Sequence, residues 1–202
     1  MSTEPRLDPR EHAKIPWRIN DIAHDFDLID AWALPASGSL REFGDLCRIF
    51  ADLDPNSDSA PSRILFAVRH RLGDRLGWDS NPNTLPIPGC QETSLRDRLP
   101  ADLPVDAPGS AGKLPFRPVY RLPQEWALEL SNSTVHAVLH LGWVPNPDGS
   151  YHGQMGVYVK PRGLLGRPYM AAIAPFRHYV IYPALVRKIG KAWCDRATDN
   201  VP

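Results

Sequence analysis

Two histidines and one glutamate have the residue types and the spacing that could support acid–base chemistry. His136 and His140 are four residues apart in a segment where polar and apolar residues alternate, and Glu129 precedes them in a similar segment. On a strand, residues four apart point to the same face and lie about 13 Å apart at roughly 3.3 Å per residue. This separation is too large for both histidines to bind one metal ion, so the pattern predicts a polar row without a metal.

Two interpretations of this row are open. In the first, His136 and His140 line a ligand pocket together with Glu129 or Tyr158 from neighbouring strands. In the second, the histidines lie on the wetter outer face of a sheet, because the residues that alternate with them are more apolar. The second interpretation is the simpler one, since histidine is often only partly buried.

A group of cationic residues flanks the start of the last predicted helix. It comprises Arg162, Arg167, Arg177 and His178. Guanidinium groups present paired donors and helix N-termini favour anions, so this group could bind a carboxylate or a phosphate. Alternatively, these side chains pair with nearby acids on the surface.

Several aromatic residues are predicted to lie between the sheet and the final helix. They are Trp126, Trp143, Tyr158, Tyr169, Phe176 and Tyr182. Such residues could form the wall of a ligand cavity. They could equally be ordinary core residues, which is the more general role of buried aromatic side chains.

The elements that must position these residues follow from hydrophobic periodicity and turn signals. Residues 1–20 are predicted as a flexible tail and 21–200 as one domain. A first strand over 25–34 is followed by a helix from Ser39, where Glu42 completes a capping box, and by a second helix from about Pro61. Residues 79–117 are rich in Pro and Gly and predict a long loop with one helical turn near 94–99. Further strands are predicted over 118–122, 125–130, 133–144 and 151–160, before a final helix from Pro168 that prolines 175 and 183 divide.

Composition narrows the function. The chain has 202 residues, and its 23 Lys and Arg balance its 23 Asp and Glu, so nothing indicates a nucleic-acid binder. No segment resembles a signal peptide or a membrane span, and the three widely spaced cysteines fit a reducing compartment, so a cytoplasmic protein without a cofactor is expected. The motifs G-x-S-x-G, H-E-x-x-H and the P-loop are absent from the sequence.

Three strings carry a resemblance to a known family. They are T-V-H-A-V-L-H-L-G (134–142), Y-V-K-P-R-G-L-L-G-R (158–167) and P-F-R-H-Y-V-I-Y-P-A-L (175–185), and the pieces at 66–73 and 94–100 add to them. The chain resembles the domain of unknown function 2867, and its element order is similar to the helix-grip fold of the START and pollen-allergen-like superfamily. The resemblance therefore implies an α+β fold in which an antiparallel sheet curves around a long C-terminal helix.

The resemblance also implies candidate functions. Helix-grip relatives commonly bind apolar or amphipathic small molecules between sheet and helix, and some members of the family resemble fusions to a nicotinamide-binding reductase. We therefore expect a protein that binds a small apolar or acidic ligand, with no membrane or nucleic-acid partner. Two alternatives are a cyclase- or isomerase-type enzyme that uses His136, His140 or Glu129, and an accessory interaction domain for a reductase partner.

Overall fold

The structure is a computed structural model that describes residues 5–53, 94–107, 111–112, 114–132, 135–163 and 166–198. A single sheet lies at its centre. Its six strands are all antiparallel and lie in the order β1-β2-β6-β5-β4-β3. The strands are β1 (Arg6–Leu7), β2 (Asp27–Gly38), β3 (Arg117–Arg121), β4 (Glu125–Ser131), β5 (Val135–Pro145) and β6 (Tyr151–Pro161).

Helical segments cover both faces of this sheet. They are α1 (Pro9–Ala13), α2 (Arg18–Ile22), α3 (Phe43–Ala51), α4 (Gly166–Phe176) and α5 (Tyr182–Thr198), with 3₁₀ turns at Leu40–Glu42 and Leu95–Arg98 and a π-turn at Arg177–Ile181. The predicted α+β architecture with a long C-terminal helix is confirmed. The second helix, predicted from Pro61, lies outside the described residues.

Strands β3 to β6 form an antiparallel meander, and the sequence predicted a strand over each of these four segments. Alternating residues and short turns specify it, and Gly149 supplies the left-handed backbone (φ +83°) that the turn between β5 and β6 requires. The predicted capping box is also present, since the Ser39 backbone donates to Glu42 at 2.6 Å. In contrast, β2 does not stop at Pro35. A register irregularity between Ala33 and Ser37 accommodates the proline, which cannot donate to a regular ladder.

Residues 5–20, which we call the N-terminal segment, pack against the sheet, whereas the sequence predicted a flexible tail over residues 1–20. Strand β1 pairs with β2, and Asp8 accepts a hydrogen bond from the backbone of Arg10 at the start of α1. His12 and Ile19 have no exposed surface. The pair Asp8-Pro9 is a helix-start signal and indicates the helix that begins here.

The two faces of the sheet bury two separate cores. The first lies under α3 and α5 and contains Trp32, Trp126, Trp143, Tyr182 and Trp193. The second lies under α1, α2 and the Leu95–Arg98 turn and contains Trp17, Phe26, Tyr120 and Tyr158. Polar side chains are buried at both, and these positions carry the candidate chemistry.

The C-terminal helix is divided as the prolines predicted. Pro175 lies inside α4, and Pro183 lies in the first turn of α5. Neither proline can donate to a preceding carbonyl, so the regular ladder fails between them and the π-turn takes its place.

Candidate functional site

Asp30 lies fully buried in β2, on the face that packs against the C-terminal helix. Leu28 pairs with Tyr158, which belongs to the second core, but Asp30 pairs with Val157, which packs against the first. The irregularity between Leu28 and Asp30 adds one residue, so the carboxylate points to the opposite face from the one that simple alternation predicts.

Cationic and aromatic side chains surround this carboxylate. His178 Nε2 hydrogen bonds to Asp30 Oδ1, Arg177 Nη2 lies 3.4 Å from Oδ2, and Arg6 Nη2 lies 3.8 Å from Oδ1. Burial, the neighbouring Asp30 charge and the contact of the Tyr182 hydroxyl with this carboxylate raise the pKa of Tyr182. We call Asp30, Arg6, Arg177, His178 and Tyr182 the Asp30 cluster.

The Asp30 cluster is incompletely hydrogen-bonded within the described part of the chain. Asp30 Oδ2 and Arg177 Nε are both buried and have no hydrogen-bond partner there. The contact of Arg177 Nη2 with Oδ2 is therefore an ion pair without hydrogen-bond alignment. An unsatisfied acceptor beside an unsatisfied donor is costly in a folded protein, so this pair of atoms calls for an explanation.

Two side chains of the cluster reach solvent at the π-turn. The side chains of Arg177 and His178 are 12% and 18% exposed, although the Asp30 side chain is not exposed at all. Segments of π-helix occur frequently at functional sites. The neighbouring α4 is apolar, and its Ile173 and Phe176 are only half-buried.

Two Glu–His pairs lie on the other face of the sheet. His136 Nε2 is 3.0 Å from Glu129 Oε2, and His140 Nε2 is 3.1 Å from Glu125 Oε2. In both pairs, the histidine on β5 stands opposite the residue two positions after the glutamate on β4. The two histidines are at most 1% exposed, so the expectation that they lie on a wet outer face is wrong.

Each glutamate of these pairs also binds the start of a covering helical segment. Glu125 accepts from the backbone N–H of Arg18 at 3.1 Å, and Glu129 accepts from that of Leu95 at 2.9 Å. Burial would raise the pKa of both carboxyls, but the hydrogen bonds from their histidines and from these backbone groups lower it. The pairs therefore anchor α2 and the Leu95–Arg98 turn to the sheet.

A third histidine extends one of these pairs. His12 Nε2 is 3.1 Å from His140 Nδ1, and His12 Nδ1 is 2.9 Å from Gln154 Oε1. Burial and the neighbouring His140 lower the pKa of His12 to about 4. Gly156 makes room for this ring, because a Cβ there would lie 2.7 Å from His12 Nε2.

The structure separates the residues that the sequence grouped together. Trp126 and Trp143 are fully buried in the first core, whereas Tyr158 lies on the second face and hydrogen bonds to Asn20. Arg162 is buried and donates to Asn132 O at 2.8 Å, on the face opposite Arg177 and His178.

Of the residues predicted to bind an anion together, Arg177 and His178 lie side by side at Asp30, and Arg162 lies elsewhere. Arg167 is exposed on α4, and the side chain of Tyr169 lies outside the described part. Sequence reasoning missed Asp30, because its position depends on the strand irregularity, and it missed His12 and Glu125, because only the fold brings them to the histidines.

One surface pocket of about 630 Å³ lies at the edge of the second face. It is lined by Arg18, Asp21, Ile22, His24, Arg98 and Pro100. None of the ten residues predicted as ligand contacts lines it. Its two arginines already form ion pairs, Arg18 with Asp102 and Arg98 with Asp25.

Metal-binding groups and membrane-spanning helices are both absent from the described residues. No group of three or more His, Cys, Asp or Glu residues among them could hold a metal ion. No helix in the same ranges combines the length and the apolar character needed to cross a membrane.

Fold and site together define an α+β protein with an antiparallel sheet, a long C-terminal helix and a buried carboxylate between them. The family described as protein of unknown function (DUF2867) matches residues 22–184, which is most of the chain. The chain belongs to this family. No curated protein matches it, and no solved structure matches it either.

Proposed function

We propose that the protein binds a small amphipathic molecule with an acidic group, and that the Asp30 cluster contacts the polar end of this ligand. The observation that carries the proposal is the buried carboxylate under the π-turn, with an unsatisfied acceptor and an unsatisfied donor side by side. Binding sites in proteins typically combine apolar walls with a few well-placed polar groups.

Charge supports an acidic ligand. Arg6 and Arg177 place two permanent positive charges against the single negative charge of Asp30. An incoming carboxylate would therefore meet a net positive environment, in which the more buried Arg177 charge acts strongly and solvent screens the Arg6 charge, whose side chain is 42% exposed. His178 adds hydrogen-bonding capacity at the exposed side of the cluster.

The surroundings of the cluster support an apolar body for the ligand. Trp32 and Tyr182 contact each other with ring centroids 5.3 Å apart, and Ile181 packs against the same core. We place the apolar part of the ligand between this surface and α4, and we propose that the architecture is of the helix-grip type. The long strand β2 beside the last strand β6, and the C-terminal helix across one face, support that assignment.

The residues expected to act in the enzyme alternative do not support it. His136, His140 and Glu129 are buried and engaged in hydrogen bonds with their own partners, so we assign them to anchoring and not to ligand chemistry. An accessory role beside a reductase stays a prediction.

Native mass spectrometry of the purified protein, followed by denaturing extraction, tests the proposal. We expect an acidic apolar molecule to be released from the wild-type chain and its amount to fall in Arg177→Gln. Arg187→Gln is the matched control, because Arg187 is an exposed arginine of α5. A bare mass in repeated preparations, together with no calorimetric binding of decanoate, would contradict ligand binding at this site.

A further inference from the structure

The two unsatisfied atoms of the Asp30 cluster differ in kind, and this difference specifies ligand chemistry. Asp30 Oδ2 is an ionised acceptor, and Arg177 Nε is a donor. Since the Arg177 Nη2 of the same guanidinium is 3.4 Å from Oδ2, both orphan atoms face one small region. A single ligand must therefore offer a donor to Oδ2 and an acceptor to Nε.

A carboxylate alone meets only half of this requirement. It can accept from Arg177 Nε, but it has no proton for Asp30 Oδ2 and repels that oxygen. A hydroxyl next to the carboxylate supplies the missing donor. We propose that the ligand class is 2-hydroxy acids with an apolar chain, the hydroxyl donating to Asp30 Oδ2 and the carboxylate accepting from Arg177 Nε; this inference rests on the proposed function.

The partners already present explain why the second oxygen of Asp30 is the one available. Oδ1 is engaged by His178 Nε2 and lies within reach of Arg6. The hydrogen bond from His178 fixes the carboxylate plane and leaves Oδ2 directed at the Arg177 side. Hydrogen bonds to ionised groups are about twice as strong as neutral ones, so Asp30 can discriminate strongly between ligands with and without the hydroxyl.

A matched pair of probes tests this inference on the wild-type chain. Decanoate and 2-hydroxydecanoate differ in one hydroxyl, and isothermal titration calorimetry at neutral pH gives their dissociation constants. We expect 2-hydroxydecanoate to bind about tenfold to a hundredfold more tightly, the range for a hydrogen bond to a charged group. Asp30→Asn should reduce this ratio to near one, and Arg177→Gln should weaken both probes, whereas Arg187→Gln should change neither.

The binding results distinguish a failure of the hydroxy-acid assignment from a failure of the proposed function. Equal affinity of the two probes for the wild-type chain would overturn the hydroxy-acid assignment and leave a binding protein for simple acids. A lack of binding for both probes at millimolar concentration would overturn the function and the assignment together. If Asp30→Asn fails to fold, as circular dichroism would reveal, the wild-type comparison still decides the question, because it requires no variant.

Discussion

His12 and His140 contact each other directly, with His12 Nε2 3.1 Å from His140 Nδ1 and neither ring exposed. A hydrogen bond between these two nitrogens requires one of them to carry a proton and the other to be unprotonated. The N-terminal segment thus reaches the middle of the sheet through a contact between two buried rings. Glu125 on the far side of His140 completes the line.

The contact predicts that stability decreases in mildly acidic solution. Burial holds the pKa of His12 at about 4, below its ordinary value of 6.5, so the unfolded chain takes up the proton first. The stabilisation is complete above pH 6.5 and is lost as the pH falls toward 4. Between about pH 7.5 and pH 5 we expect a loss of about 2 kcal/mol from this residue, measured by urea unfolding.

His12→Gln should remove this part of the pH dependence, because glutamine does not titrate. His24→Gln serves as the control, since His24 is an exposed histidine of the same segment. A pH dependence in His12→Gln as steep as in the wild-type chain would assign the effect to another group.

The Glu129–His136 pair predicts a large loss in the free energy of unfolding when one partner is removed. Glu129→Gln removes the buried charge that His136, Ser94 and the Leu95 backbone all contact. Breaking a buried pair in this way typically costs about 3–5 kcal/mol. A double-mutant cycle with His136→Gln measures the pairwise term, and a coupling energy near zero would mean that the two side chains act independently.

The carboxyl groups of Glu125 and Glu129 predict that α2 and the Leu95–Arg98 turn are held less firmly to the sheet in acid. The pKa of Glu125 and that of Glu129 are lowered in the folded chain, so their stabilisation is present above the ordinary glutamate value of 4.5 and is lost as the pH falls through the lowered values. The protection of the Arg18 and Leu95 amides against hydrogen exchange, relative to an unfolded chain at the same pH, should fall in this lower range. Unchanged protection there would show that the carboxylates do not hold these amides.

Gly156→Ala should loosen the N-terminal segment. The added Cβ would lie 2.7 Å from His12 Nε2, so the ring must leave its position under β6. Trypsin cleavage after Lys14, followed by mass spectrometry, should become faster at native conditions. Gly44→Ala is the matched control, because the nearest atom to its Cβ is 3.7 Å away, an ordinary contact. Equal cleavage rates in the two variants would place His12 outside the anchoring of this segment.

Cys47 should be inert toward thiol reagents in the folded protein. Burial raises the pKa of its thiol to about 12, so the reactive thiolate is scarce at neutral pH. Mass-mapped labelling with iodoacetamide should modify the exposed Cys194 first and Cys47 only after unfolding. Labelling of Cys47 at the rate of Cys194 in native buffer would contradict its burial.

The meander was predictable because its evidence is local. Alternation along 125–130 and 133–144, and turn residues between the strands, specify pairing partners close in sequence, and those pairs are present. The capping box of Ser39 and Glu42 is equally local. The helix break was predictable too, because a proline lacks its N–H in any context.

The site was predictable only in part, because its members come from distant segments. Arg177 and His178 were expected to bind an anion together, but their partner Asp30 lies about 150 positions earlier in the chain and turns toward them only through an irregular strand. The role of His136 and His140 was undecided for the same reason. Their burial depends on α1 and α2, which cover a face that alternation alone cannot distinguish from a wet one.

The irregularity at Leu28–Asp30 decides which side of the sheet the carboxylate occupies. If Ile29 paired with Val157 in a regular ladder, Asp30 would move to the opposite face, and Arg177 and His178 would face an apolar side chain. Among sequences of similar composition, the pairing of this one position would therefore separate chains able to hold a polar ligand under the π-turn from chains with the same fold and an inert interior.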